Sequence, residues 1–138
     1  MSANTGNRCA VAFGCRDLFA TAAAMRERAL PILPIPTNYY EDLEARWELD
    51  PALLKAMRRF GILYDRGEAG GELFHLWTGM LGHRLFLEVV QRVGGCDGYG
   101  EVNAPVRSWA ATRGWGWGRL ACTLMKACED WEVCRQMC

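Results

Sequence analysis

Two side chains could carry acid–base or metal chemistry: His75, in the run 72–78, and Glu88, in the run 85–92. Both runs alternate apolar and polar residues, and side chains two apart on a strand share a face. Leu73, His75 and Trp77 then lie on one face of the first run, and Phe86, Glu88 and Val90 on one face of the second. A hairpin folded midway between Leu81 and Gly82 would set Leu73 against Val90, His75 against Glu88 and Trp77 against Phe86. A carboxylate flanked by Phe86 and Val90 is expelled from a core unless it is paired or holds a metal. The pattern therefore leaves three readings open: a buried ion pair, a sheet face open to water, or a metal site. His83, in the turn beside Gly82 and Arg84, needs no partner.

The elements that must position this pair follow from the surrounding punctuation. An apolar run at residues 8–13 ends at Gly14, and Asp17 stands as N-cap to an Ala-rich helix over residues 18–30 that Pro31 stops. Pro34 and Pro36 keep the next stretch extended. Between residues 38 and 60 the period is helical, with Tyr40, Leu43 and Trp47 on one stripe. Asp50 with Pro51 then starts a second helix, which Gly61 closes. From residue 62 the period becomes alternating, and Gly-rich breaks divide it into three short strands of a meander. The segment 94–103 holds Gly94, Gly95, Gly98 and Gly100, but it has neither the glycine spacing of a dinucleotide fingerprint nor the Lys of a phosphate loop. It reads as a loop leading to a short helix, with Asn103 as N-cap and Pro105 in its first turn.

Composition narrows the function classes. At 138 residues the chain accommodates one domain. Sixteen Lys plus Arg balance 16 Asp plus Glu, so no net positive field favours nucleic acid or an anionic membrane surface. No apolar run approaches a bilayer span and no signal sequence opens the chain, which makes a cytoplasmic location the expectation. The seven cysteines are odd in number, lack C-x-x-C pairs and read as thiols. Residues 108–138 change character, with four of the six Trp and four of the seven Cys. Leu120, Leu124, Cys128, Trp131, Cys134 and Cys138 follow helical spacing there, so an amphipathic helical extension is expected.

The order strand, helix, three strands is the βαβββ unit, and four strings carry a closer likeness: IPTNYYEDLEAR (35–46), GILYDR (61–66), FLEVVQR (86–92) and GYGEVNAPVR (98–107). Together they resemble the last module of the 4-hydroxyphenylpyruvate dioxygenase family, in the vicinal oxygen chelate superfamily. The ending NAPVR resembles more closely the dioxygenase-like C-terminal half of bacterial fusion proteins that carry 3-dehydroshikimate dehydratase activity in a preceding barrel. The resemblance implies an α+β fold, a single βαβββ module over residues 8–107, followed by an unrelated Cys/Trp-rich extension over 108–138.

It also implies a site. The family holds Fe(II) with two His and one Glu, leaving positions for an aromatic 2-oxo acid and O₂. Glu88 falls on the Glu ligand. Ala10 falls on the His of the module's first strand, so that ligand is lost, and the second His belongs to a preceding module. His75 takes the place of a Gln that faces the iron, Trp77 that of a Phe against the substrate ring, and Asn103 that of an Asn before the closing helix. The expectation is a dioxygenase-like domain that is a truncated, inactive fragment as a lone chain and does not hold Fe(II) by itself. The alternative is a non-catalytic binding or dimerisation module, as in the dehydratase fusions. In either case a single unit leaves one sheet face and an edge uncovered, so a homodimer or a neighbouring module is the expected partner.

Overall fold

The computed structural model describes residues 9–79, 85–111 and 132–134. Strand β1 (Cys9–Gly14) leads into helix α1 (Leu18–Glu27), whose N-terminus is capped by the Asp17 carboxylate accepting from the Ala20 N–H at 2.9 Å. The helix stops short of Leu30. Ala29 enters the left-handed region (φ 54°), and the Ala29 and Leu30 N–H groups bond back to the Arg26 and Met25 carbonyls at 2.9 and 2.8 Å. This closing motif satisfies carbonyls that would otherwise end the helix unpaired. Pro31, which disfavours helical backbone at the residue before it, explains why the reversal comes where it does.

Helices α2 (Thr37–Arg46) and α3 (Pro51–Phe60) follow. Asp50 caps α3 through the Ala52 and Leu53 N–H groups at 2.6 and 3.2 Å, Pro51 opens it, and Gly61 ends it in the left-handed conformation. Three strands come next: β2 (Leu63–Arg66), β3 (Glu72–Trp77) and β4 (Leu85–Val93). A 3-10 turn at Glu101–Asn103 runs straight into α4 (Ala104–Ala111), and β5 (Glu132–Cys134) is the last described element.

The sheet order is β2-β3-β4-β1-β5. β1 runs parallel to β4 and every other pairing is antiparallel, which realises the expected α+β, βαβββ arrangement with added helices. One face buries Phe74, Leu76, Leu87 and Val89 in the main apolar core, together with Leu18 and Met25 of α1, Tyr40 and Leu43 of α2, and Leu54 and Met57 of α3. The opposite face carries Leu73, His75, Glu88 and Val90, and all four are buried. A face open to water is thereby excluded.

Two expectations need correction. The β3–β4 register pairs His75 with Val90 and Trp77 with Glu88, two residues away from the hairpin expected from the sequence. The cause is visible at Thr78, whose N–H bonds the Leu87 carbonyl at 2.9 Å and whose hydroxyl accepts the Leu87 N–H at 3.0 Å. These bonds extend the ladder by one more pair. A slip of two keeps every side chain on its face, whereas a slip of one would have reversed them all. The second correction concerns the extension: residues 132–134 form a strand antiparallel to β1, with Ala12 opposite Cys134, instead of a turn of helix. Pairing with the open edge of β1 satisfies backbone groups that a helix at this place would leave exposed. The other positions of the expected helix, Leu120, Leu124, Cys128, Trp131 and Cys138, lie outside the described residues, as does His83.

Candidate functional site

His75 and Glu88 meet diagonally across the β3–β4 ladder, with His75 Nδ1 2.7 Å from Glu88 Oε1. His75 has no exposure and Glu88 is 7% exposed. The pairing is only the first link of a longer chain. His75 Nε2 lies 2.8 Å from Asn103 Nδ2, and Asn103 Nδ2 also reaches the Tyr64 carbonyl at 3.1 Å. Asn103 Oδ1 accepts from the Tyr39 hydroxyl at 2.9 Å, and the same hydroxyl accepts the Tyr64 N–H at 3.0 Å.

This chain fixes the direction of each hydrogen. The Asn103 amide nitrogen only donates, and the Tyr64 carbonyl only accepts. Turning the amide over would press its oxygen against that carbonyl and point its nitrogen at the Tyr39 hydroxyl. With the nitrogen facing His75, Nε2 must accept, so the ring hydrogen sits on Nδ1 and is donated to Glu88. The imidazole is thus held in one tautomer, and one oxygen of the Glu88 carboxylate is committed to it. Burial, the largest influence, pushes the Tyr39 hydroxyl well above the ordinary phenol range, which keeps it protonated as a member of the chain.

The positioning elements explain why the chain closes. Gly100 precedes the 3-10 turn with φ 68°, a conformation that favours glycine, and a Cβ there would stand 2.7 Å from His75 Cε1. Only a bare backbone lets the closing segment come down onto the imidazole. Asn103 stands directly ahead of α4, as expected from the sequence, but its side chain bonds Tyr39, Tyr64 and His75. It is the last residue of the 3-10 turn, 2% exposed, with its side chain turned inward to His75 and Tyr64. Trp77 packs edge-on against His75, ring centroids 4.9 Å apart, and Arg107 of α4 lies over Phe86 and Trp77 at 4.7 and 5.5 Å.

The positions suggested for a metal can be tested against this arrangement. Ala10 lies opposite Phe86, and Ala12 lies opposite Glu88, both on the neighbouring strand β1. Neither methyl can donate to a metal. Among the described residues no three His, Cys, Asp or Glu side chains converge as a metal ligand set. One oxygen of Glu88 is taken by His75, and His75 Nε2 faces an amide N–H. The donor set of this chain therefore does not fit the two-His, one-Glu iron centre that the resemblance implies.

Sequence reasoning brought His75, Glu88, Trp77 and Asn103 to one place, and the structure sets all four there. Missing from it were Tyr39, the Tyr64 backbone, Gly100 and Arg107. The string NYYED signals only a helix, and nothing in it marks which Tyr hydroxyl reaches Asn103. Gly100 had a signal, as a glycine directly ahead of a short helix whose Asn was under suspicion.

No family model matches the chain. The 3-dehydroshikimate dehydratase of Pseudomonas aeruginosa is 45% identical over 97 residues, covering 70% of this chain and 15% of that protein. The 4-hydroxyphenylpyruvate dioxygenase of Neurospora crassa is 33% identical over 96 residues, covering 63% of this chain and 23% of the other. Among solved structures, a fusion of a xylose isomerase-like TIM barrel with 4-hydroxyphenylpyruvate dioxygenase superposes with a TM-score of 0.74 at 41% identity, over 76% of this chain and 17% of the fusion. A mutant 4-hydroxymandelate synthase from Streptomyces coelicolor gives 0.63 at 27% identity, over 75% and 29% of the two chains. The chain thus spans less than a third of the length of each.

Proposed function

For this chain, a 4-hydroxyphenylpyruvate dioxygenase-like module of the vicinal oxygen chelate fold, we propose a binding role without dioxygenase turnover when the module stands alone. The observation that carries this reading is the closed hydrogen-bond chain Glu88–His75–Asn103–Tyr39. It occupies one oxygen of the carboxylate that the family uses for iron, while alanines stand beside it on β1. A lone carboxylate oxygen does not hold Fe(II) against water. The aromatic 2-oxo acid oxidation implied by the resemblance would need ligands from outside this module, and a further module in the same polypeptide is the natural source. The architecture of the fusion relatives supports that partner. No helix among the described residues is long and apolar enough to cross a membrane.

The test is direct. The purified chain, given Fe(II) anaerobically and then O₂ with 4-hydroxyphenylpyruvate, is expected to retain less than stoichiometric iron after desalting and to consume no O₂ above background. Stoichiometric iron with substrate-dependent O₂ uptake would overturn the reading.

A second reading, a homodimer, is favoured by one feature. Val93, Tyr99, Val102 and Trp109 are 40 to 51% exposed within the short stretch that closes over the site. Apolar surface of this kind marks a contact with another chain or module. Light scattering at micromolar concentration distinguishes the two, with a dimer supporting self-association and a monodisperse monomer supporting an external module.

A further inference from the structure

Basic side chains gather where the C-terminal ends of α1 and α3 meet: Arg26 and Arg28 at the end of the first helix, and Lys55, Arg58 and Arg59 on the second. All of them are exposed. A cation at a helix C-terminus is ordinarily explained by the carbonyls there, and Arg28 fits that explanation by donating to the Ala24 carbonyl at 3.2 Å. Arg26, Arg58 and Arg59 do not. Among the described residues, none of these three guanidiniums has a hydrogen-bond acceptor or an ion-pair partner.

They lie on rings instead. Arg26 and Arg59 both stand over Phe60, at 5.4 and 5.3 Å from its centroid, and Arg58 stands over Tyr40 at 5.7 Å. Burial raises the Tyr40 hydroxyl, and the charges of Arg58 and Arg26 work against that rise, so both guanidiniums act on the same phenol. Lys55 precedes Arg58 and Arg59 by one turn of α3 and shares their side of the helix. Glu27 on α1 and Glu41 and Asp42 on α2 pair with none of them.

Stacking leaves the N–H donors of a guanidinium in its own plane, where an oxyanion can take them two at a time. Like charges held together without a carboxylate repel, and an anion with several acceptor oxygens removes the repulsion as it fills the donors. The formal charge of the whole chain is zero, so the attraction is local. That suits a small, multiply charged group better than an extended polyanion.

We infer that Arg26, Arg58 and Arg59, with Lys55 beside them, form a binding site for a soluble phosphate group of at least two negative charges, as in a diphosphate or a phosphate monoester. The site lies in the helical layer, across the sheet from His75 and Glu88. It goes beyond the reading above and does not depend on it, because neither the polar chain nor iron takes part.

Inorganic pyrophosphate is the probe, at ~0.15 M ionic strength, where exposed charges more than ~8 Å apart are largely screened. In ¹⁵N-labelled protein the Nε–H resonances of Arg26, Arg58 and Arg59, each identified by its loss in the matching Arg→Gln variant, are expected to move and saturate as pyrophosphate is added. Sodium chloride at equal ionic strength should leave them in place. Affinity is expected to fall about tenfold or more in the double variant Arg26→Gln, Arg59→Gln, whose fold a circular dichroism melt confirms. Arg92→Gln, which removes an exposed arginine stacked on Tyr99, should leave the affinity unchanged. Resonances that do not saturate at millimolar pyrophosphate would overturn the inference. So would an equal response to chloride, unchanged affinity in the double variant, or an equal loss in Arg92→Gln. Vesicles of phosphatidylcholine with phosphatidic acid test a lipid headgroup as the source of the phosphate. No co-sedimentation is expected, and pelleting that pyrophosphate fails to reverse would overturn the assignment to a soluble group. Each of these results leaves the iron and O₂ measurement unaffected, so the two readings fail separately.

Discussion

The two faces of one sheet solve burial in opposite ways. The face toward α1, α2 and α3 is filled by Phe74, Leu76, Leu87 and Val89, where apolar contact suffices and no direction is specified. The face under the closing segment sets Leu73 and Val90 around a His, a Glu and an Asn that are all buried. There the His, Glu and Asn must meet one another in fixed directions, because an unmet polar group costs more than a met one gains. The first face gives the module its stability and the second gives it a unique arrangement. The same polar chain commits one oxygen of the Glu88 carboxylate to His75.

Truncating the apolar face should cost as much as breaking the polar one, and teach least. Leu76 has no exposure, and Leu76→Ala is expected to destabilise by about 2–5 kcal/mol in urea unfolding, as for other fully buried leucines. A cost near zero would mean that the helices do not pack on this face.

On the polar face the cost should depend on which partner is left behind. His75→Leu strands the Glu88 carboxylate and an Asn103 N–H together, and should destabilise by about 3–5 kcal/mol. Glu88→Gln keeps an oxygen to accept the His75 Nδ1–H and should cost only about 1 kcal/mol. Equal losses in the two variants would break the distinction between the faces. Gly100→Ala, which sets a Cβ 2.7 Å from the imidazole at a positive φ, should fall between them at about 1–3 kcal/mol and weaken the seating of α4.

Alkaline pH reaches both faces. Burial pushes the Tyr64 hydroxyl up to about 12, helped by its bond to Glu72, and raises Tyr39 and Tyr40 further. A folded value above the unfolded one means that protonation favours the fold. This stability is complete below about pH 10 and is lost as pH rises toward the folded values. Phenolate absorbance from these three tyrosines should therefore appear together with loss of helical circular dichroism. Ionisation well before unfolding would show that they are not buried as described.

The sequence made the faces legible because alternation survives any even slip of register. It could not reveal the slip itself, which Thr78 imposes through its hydroxyl and its backbone N–H. It placed His75 and Glu88 together, but not the Asn103 and Tyr39 links, which depend on the three-dimensional approach of α2 and the closing segment. Asn103 illustrates the limit. An Asn ahead of a helix satisfies a capping pattern locally, and only the nearness of His75 shows that its side chain is used elsewhere. For the strand at Glu132–Cys134 the helical spacing of Cys and Trp was a poor guide, because the open edge of β1 decides the local structure.

The Glu88 carboxylate is joined through His75 and Asn103 to Tyr39 in one hydrogen-bond chain. The most direct measurement is the long-range ¹H–¹⁵N spectrum of the His75 ring, recorded before and after one equivalent of Fe(II) is added anaerobically. The expected result is a hydrogen on Nδ1, a bare accepting Nε2, and no paramagnetic broadening on adding iron. A hydrogen on Nε2 in the metal-free protein, or loss of the His75 signals at one equivalent of Fe(II), would contradict it.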